Sequence, residues 1–393
     1  MKSIKSAIDL VPVILLILAP SVRLMVPGLN AIVLFAFIPC IFIWASLKYN
    51  SCYTKKSIKY YIALIVWLLF TTLTSTNIPS SLSIMKTIGA GFLISVVFYS
   101  LASSKTNNGL YLLFAYIILL ITTIWYLWQS GELLSLDITK ERLDDELVNA
   151  NDLAYYLFYV SCSVYILFYF SNLKRIWFVV TMILLIALAF SLSIVTASRQ
   201  ILIIVVPYIL YCIYSFLLYD SKHKTKRIMV FILVLGIAFF ALVPQIQGIL
   251  SGSFLEARME IEIEDDSRTA LLQDAIRVGL EHPLLGVGPG NLIYFSNDGG
   301  FSHNSYAELF STSGIPSLIL FILMVFPFIV ENRRRFKITK DKFFLFLFWT
   351  SLLWAAYNVL YVFYHSLWLI GFYYLIMGIS SRYYSQCITQ KSI

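Results

Sequence analysis

Charge is what this sequence of 393 residues has least of: only 13% of its residues are Asp, Glu, Lys or Arg, while 60% are hydrophobic. That balance excludes an ordinary soluble domain. Histidine occurs four times and cysteine five times. Cys40, Cys52, Cys162, Cys212 and Cys387 form no Cys-x-x-Cys pair and have no histidine at ligand spacing, so they specify neither a disulfide framework nor a metal site. Low-complexity tracts and internal repeats are also missing, apart from the serial apolar runs themselves.

Those runs are abundant, and they carry 30 Phe, 26 Tyr and 8 Trp. Crossing the hydrocarbon core of a bilayer takes about 20 mostly apolar residues as a helix, because backbone groups there find no water to bond. The sequence therefore reads as an all-α, polytopic membrane bundle of about 12 transmembrane helices. The expected spans are 8–26, 31–47, 58–75, 83–102, 110–128, 151–170, 176–196, 201–219, 228–247, 305–330, 343–361 and 367–384. Lys2 and Lys5 precede the first run, but its length and the missing small-residue cleavage site make it an uncleaved span. Trp125, Trp128, Trp177 and Trp368 stand near span ends, as interfacial anchors do.

The distribution of charge orients the bundle. With the N-terminus in the cytoplasm, most of the 29 basic residues fall in cytoplasmic loops, including Lys222 to Arg227 and Arg333 to Lys342. Arg23, Lys86, Lys140, Arg142, Arg199, Arg258, Arg268 and Arg277 remain outside, whereas only Asp9, Asp220, Glu331 and Asp341 among the acids lie inside. Both termini are then cytoplasmic, and the net charge of +8 is a topology signal without a nucleic-acid partner. Two outer segments exceed a simple connection: 131–151, and the large extracytoplasmic loop 248–304 between spans 9 and 10, which should contain short helices. Long ordered loops are usually functional, which places the chemistry on the outer face.

In the large loop, Asp266 or Ser267 can cap a helix running from about Arg268 to Glu281, ended by His282-Pro283. Arg268 and Arg277 are nine residues apart and so face opposite sides of that helix. Arg268 either pairs with Asp265 and Asp266 in solvent or enters a pocket, and Arg277 reads as structural or solvent-facing. The run GVGPGN, Gly286 to Asn291, lacks the flanking strand and helix of a dinucleotide site. It reads as a tight turn back toward the membrane, with an amide nest for an anion as the lesser alternative. Glu262, Glu264, Asp265 and Asp266 read as a solvated acidic loop.

The stretch GFSHNSYAELFSTSG, Gly300 to Gly314, sets His303 and Asn304 at the lip of a span. A helix capped by Ser302 would hold both in its first turn, with Asn304 and Glu308 on one face at i, i+4. The positive end of its dipole favours a phosphate and a neutral imidazole, which suits a general base; a polar interfacial residue is the plain alternative. Arg199, in a short turn after an uncharged span, either snorkels to lipid phosphates or grips a ligand phosphate through its fork. His223, in a cytoplasmic basic run, and His365, in a short outer turn, carry less weight.

These residues stand in an order that resembles the bacterial O-antigen ligase and O-antigen polymerase superfamily. The resemblance rests on Ser198-Arg199 after span 7, Ser267-Arg268 followed by Pro283 and LLGVGPGN, and HNSYAEL followed by Gly314-Ile315, with Asn149-Ala150-Asn151 at the start of span 6. It implies a periplasmic-face glycosyltransferase of the bacterial inner membrane, without metal or other cofactor. The donor is an undecaprenyl-diphosphate-linked glycan, and the acceptor is a lipid-linked repeat unit for a polymerase or lipid A-core for a ligase. Carried over by position, Arg199 and Arg268 hold the diphosphate and His303 activates the acceptor hydroxyl, with Asn304, Glu308 and Asn151 supporting. Repeat-unit polymerase is the leading expectation; other polysaccharide-assembly proteins and membrane lipids are the further partners. The rival class, a transporter or lipid-linked glycan flippase, would place polar groups at the bilayer midplane. Here the polar candidates gather at one outer face.

Overall fold

The computed structural model describes residues 10–25, 29–49, 55–131, 150–217, 251–253, 255–256, 267–297 and 299–391. Among these the chain is helical throughout and contains no strand. In order they form α1 (Val11–Met25), α2 (Leu29–Ile32), a π-turn (Val33–Phe37), α3 (Ile38–Lys48), α4 (Lys56–Leu73), α5 (Ile78–Ser104) and α6 (Thr106–Gln129). Then follow α7 (Ala150–Phe170), α8 (Arg175–Thr196), a second π-turn (Ile201–Val205), α9 (Val206–Leu217), α10 (Ser267–Glu281), α11 (Ser305–Thr339), α12 (Lys342–Tyr357) and α13 (Leu367–Lys391).

Six of the described helices are long and apolar enough to cross a membrane: α4, α5, the 107–129 stretch of α6, the 152–170 stretch of α7, α8 and α11. Shorter apolar helices occupy Val33–Lys48, Ile201–Leu217 and Lys342–Tyr357. The expected span 228–247 lies outside the described residues, as does Cys52. Large side chains such as Phe35, Val66, Leu73, Ile121, Leu184 and Phe326 are exposed, as lipid-facing residues are when the solvent is hydrocarbon.

The chain divides into two compact units, one of residues 1–16, 28–112 and 263–393, the other of residues 17–27 and 113–262. In the first, α5 and α13 approach closely because α13 presents glycine: a Cβ on Gly378 would lie 2.8 Å from the Tyr99 carbonyl oxygen. Helix α11 packs on α4, whose Ser57 hydroxyl donates to the Met324 carbonyl at 2.6 Å. Tyr373 of α13 likewise donates to the Val325 carbonyl at 2.5 Å. Both acceptors lie in the turn before Pro327, so α4 and α13 are tied to the stretch of α11 that leads into the proline.

The second unit is an aromatic stack. Phe178 lies 4.0 Å from Phe216 and Phe158 lies 4.4 Å from Tyr208, centroid to centroid, which joins α7, α8 and α9. The Tyr165 and Ser215 hydroxyls meet at 3.1 Å inside it, so the phenol is buried with a partner.

Candidate functional site

The start of α11 is built by three consecutive polar residues with different tasks. Asn304 has extended backbone (φ −138°, ψ 113°), and its Oδ1 accepts from the Tyr306 and Ala307 amides at 2.9 and 3.1 Å. Asn304 is therefore the N-cap, in place of the expected Ser302. The physical reason is reach: an asparagine covers the amides two and three residues on, whereas Ser302 stands too early and His303 turns the chain between them. Ser302 instead donates its N–H and its hydroxyl to Glu308 Oε2, at 2.9 and 2.8 Å.

His303 thus lies outside the helix rather than in its first turn. Its backbone is left-handed (φ 52°), a conformation that histidine adopts more readily than most residues but that still costs about 1–3 kcal/mol. Its side chain is half-buried, at the positive end of the α11 dipole. Glu308 is 1% exposed and lies one turn further in. Asn304 and Glu308 do share a face, but their bond is the helical one, Glu308 N–H to the Asn304 carbonyl at 2.9 Å, and their side chains serve separate ends.

A turn distant in sequence fixes this helix start. The Ser305 amide donates to the carbonyls of Asn358 and Tyr361 at 2.8 and 3.2 Å, and the Phe363 amide donates back to Ser305 Oγ at 2.8 Å. The Tyr306 hydroxyl adds a bond to the Ala355 carbonyl at 2.8 Å. Tyr364, from the same segment, stands within electrostatic reach of Glu308 and in hydrogen-bond range of Thr312.

Helix α10, which carries Arg268, packs on α11 through a small core of Ala275, Val278, Val287, Leu292 and Ala307, with Leu272 and Phe295 at its edge. Gly279 lets the helices close, since a Cβ there would lie 2.4 Å from the Phe310 ring. Arg268, half-buried in the first turn, acts electrostatically on Tyr357, the residue before Asn358.

Arg277 does face away, as the spacing predicts, and it is structural. Its Nη2 donates to Asp274 Oδ1 at 3.0 Å and to the Phe295 carbonyl at 2.8 Å, and its Nη1 donates to Glu281 at 3.3 Å. Asp274 also accepts from the Asn297 backbone and side-chain amides at 2.8 and 3.0 Å, which ties the 295–297 turn to α10. Burial works against its charge, but the Asn297 amide and the Arg277 guanidinium outweigh it and hold the carboxyl below its usual range.

The glycine run closes the loop against a break in α11. Gly314 (φ 74°, ψ −178°) interrupts the helix, and Pro316 has no N–H, so the carbonyls before the break lose helical donors. The loop supplies them: the Val287 amide donates to the Ser311 carbonyl at 3.1 Å and the Gly288 amide to the Thr312 carbonyl at 2.7 Å. In return the Ile315 amide donates to the Pro283 carbonyl at 2.8 Å, and Trp67 Nε1 donates to the Ser313 carbonyl at 2.8 Å. Gly314 cannot be replaced freely, because a Cβ there would sit 2.1 Å from the Leu284 carbonyl oxygen. The Gly286 amide goes to the His282 carbonyl at 2.9 Å, so the run spends its donors inside the protein, as a tight turn does and an anion nest would not.

Arg199 belongs to the other unit. Helix α8 ends at Ala197, which is left-handed (φ 46°) and donates to the Ile194 carbonyl at 3.2 Å. Arg199 follows the turn as the first helical residue, half-buried, with Gln200 between it and the second π-turn. Such π distortions occur often at functional sites. The Asn151 backbone lies in the first turn of α7, and its side chain lies outside the described residues. Among the described residues no cluster of His, Cys, Asp and Glu could hold a metal ion.

Sequence reasoning missed the Ser302–Glu308 bond, the part of the 357–361 turn, and the docking of loop 283–288 on the helix break. A signal for the last was present, since Gly314 and Pro316 together interrupt an otherwise apolar span.

No curated protein matches the chain. The family model described as O-antigen ligase matches residues 188–322, which include Arg199, Arg268, His303, Asn304 and Glu308 and leave out Asn151. That match makes this segment, with the helix break and the histidine at its lip, similar to the O-antigen ligase family.

Proposed function

We propose that this chain, an integral membrane protein of the O-antigen ligase/polymerase type, transfers a glycan from undecaprenyl diphosphate to the hydroxyl of an acceptor sugar. In this reading the acceptor oxygen attacks the anomeric carbon, the bond from that carbon to the diphosphate oxygen breaks, and undecaprenyl diphosphate leaves. His303 Nδ1 or Nε2 takes the hydroxyl proton. Arg268 and Arg199 hold the diphosphate oxygens and stabilise the charge that builds there. Asn304 fixes the start of α11, and Glu308 holds Ser302 so that the turn carrying His303 keeps its shape. The reaction takes place at the outer face of the bacterial inner membrane.

The observation that carries the proposal is the match to the O-antigen ligase family over the stretch that holds both Arg268, half-buried in the first turn of α10, and His303, half-buried at the lip of α11. A cation for a diphosphate and a base for a hydroxyl are what transfer from an activated donor needs, because the leaving group is already good. We assign the acceptor as a lipid-linked repeat unit, which makes the enzyme a polymerase. The description of the matched family favours the second reading, a ligase acting on lipid A-core. Deleting the gene separates the two: lipid-linked single repeats accumulate if the chain is a polymerase, and long chains stranded on the carrier accumulate if it is a ligase. Normal surface glycan in the deletion strain would remove both.

A further inference from the structure

At the end of α11 remote from His303, the ends of α4, α5, α11 and α13 enclose a cavity of about 390 Å³ within the first unit. Its lining includes the cationic side chains of Lys55, Arg334, Arg335 and Arg382, and Glu331 is the one carboxylate among the described residues that line it. Helix α11 has 35 residues, which is about 50 Å of helix, so this cavity and the histidine belong to opposite ends of the bundle.

Two features separate the cavity from a solvated basic surface. Arg335 is only 7% exposed, and it is held by Ser380 Oγ at 2.7 Å, Glu331 Oε2 at 2.7 Å and Ser381 Oγ at 3.0 Å, with the Tyr384 ring 5.5 Å from its guanidinium carbon. Arg335 therefore occupies the single carboxylate, and the other three cations share the cavity without one of their own. Arg382 Nε is buried and has no hydrogen-bond partner, a costly state for a guanidinium donor.

An anion rich in acceptors would answer the three cations that share the cavity. Phosphate oxygens match guanidinium forks, and two or more cations around one phosphate are the usual arrangement. The volume lies in the range of small-molecule sites, about 300–1,000 Å³, and leaves room for a glycerol or sugar attached to the phosphate. We propose that this cavity binds a phosphate-bearing anion, either the headgroup of an acidic lipid or a soluble phosphate compound. The site is separate from the glycan-transfer reading and does not depend on it.

The test uses the full chain and two probes. Native mass spectrometry counts phosphatidylglycerol retained by protein released from nanodiscs of phosphatidylglycerol and phosphatidylethanolamine. A thermal shift with inorganic phosphate, read in a neutral detergent, reports the soluble arm. The Lys55→Gln/Arg382→Gln double variant should bind one probe about tenfold more weakly than the wild type, with the Tm of the unliganded protein unchanged. Loss confined to phosphatidylglycerol assigns a lipid headgroup, and loss confined to phosphate assigns a soluble ligand. Equal binding by wild type and variant, or no binding of either probe by the wild type, overturns the proposal. Should the double variant lose stability, Arg334→Gln, at an exposed position, repeats the comparison under the same criteria.

Discussion

The two ends of α11 solve opposite problems with the same helix. At the start, every strong group of the Ser302–Glu308 turn is answered by a neutral neighbour: Asn304 caps two amides, Ser302 holds the carboxylate, and Asn358 and Tyr361 take the Ser305 amide. At the far end, Arg335 consumes the one carboxylate among the described residues that line the cavity, and three cations are left around it. Those bonds hold both sides of the turn in which a half-buried histidine stands on a left-handed backbone. Leaving charge unanswered, by contrast, makes a surface that waits for a ligand.

The largest effect expected of any change at the start is on chemistry. His303→Ala should lower glycan transfer by about 10²–10⁴-fold, the range of a general base, while the amount of inserted protein stays constant by immunoblot. His303→Gly should behave the same way, because glycine accepts the left-handed backbone; recovered activity in either would assign the proton to another group. Gly314→Ala tests the break that seats the loop. It forces a side chain against the Leu284 carbonyl at a positive φ and should destabilise the protein by more than the roughly 1 kcal/mol of an ordinary helix substitution, read as a lower Tm. An unchanged Tm would mean that loop and helix are held by something other than their shared backbone bonds.

Arg268→Lys and Arg199→Lys keep the charge and remove the fork. Each should cost about tenfold to a hundredfold in transfer if the grip is bidentate, since a charge-assisted bond contributes about 1.5–3 kcal/mol. Full activity in both would move the diphosphate elsewhere.

The smallest expected effect is on pH dependence. Asp274 has a lowered folded-state pKa, so its stabilising bonds are present above the unfolded carboxylate value of about 3.9 and are lost as pH falls through the folded value. Pepsin cleavage near 295–297 should therefore increase below about pH 4, and Asp274→Asn should flatten that dependence. An identical pH profile in the variant would show that another group secures the turn.

What the sequence reveals and what it hides follow from where each interaction reaches. The helices α4, α5, α7 and α8 were readable because a long apolar run is a local property. Helix α10, which is not apolar, begins within a residue of its expected start because a capping residue is also a local signal. The cap of α11 was misplaced by two residues because Ser302 and Asn304 are both good cap formers, and a left-handed His303 between them decides the matter. The turn 357–361 was invisible as a site component, since nothing local to Tyr357 or Asn358 announces that Ser305 will bind beside it. Residues 305–330 looked like one span because composition does not say whether a Gly-Pro interruption will be filled by a distant loop. The geometry of the break is a tertiary event, held by backbone bonds from 283–288.

That break has a consequence for how such a protein can diversify. Because loop 283–288 is clamped through peptide groups, the side chains of Leu284 and Leu285 do not set its position, and Leu284 is exposed. Changing those side chains would alter the outer surface while the register of the clamp, and with it the seat of the histidine turn, stays as it is. A deletion of one residue between Pro283 and Gly288 would do the reverse, slipping the clamp without changing the chemistry of the surface. Point substitution at those two leucines is thus the change that the clamp tolerates, and a change of length is the one that it does not.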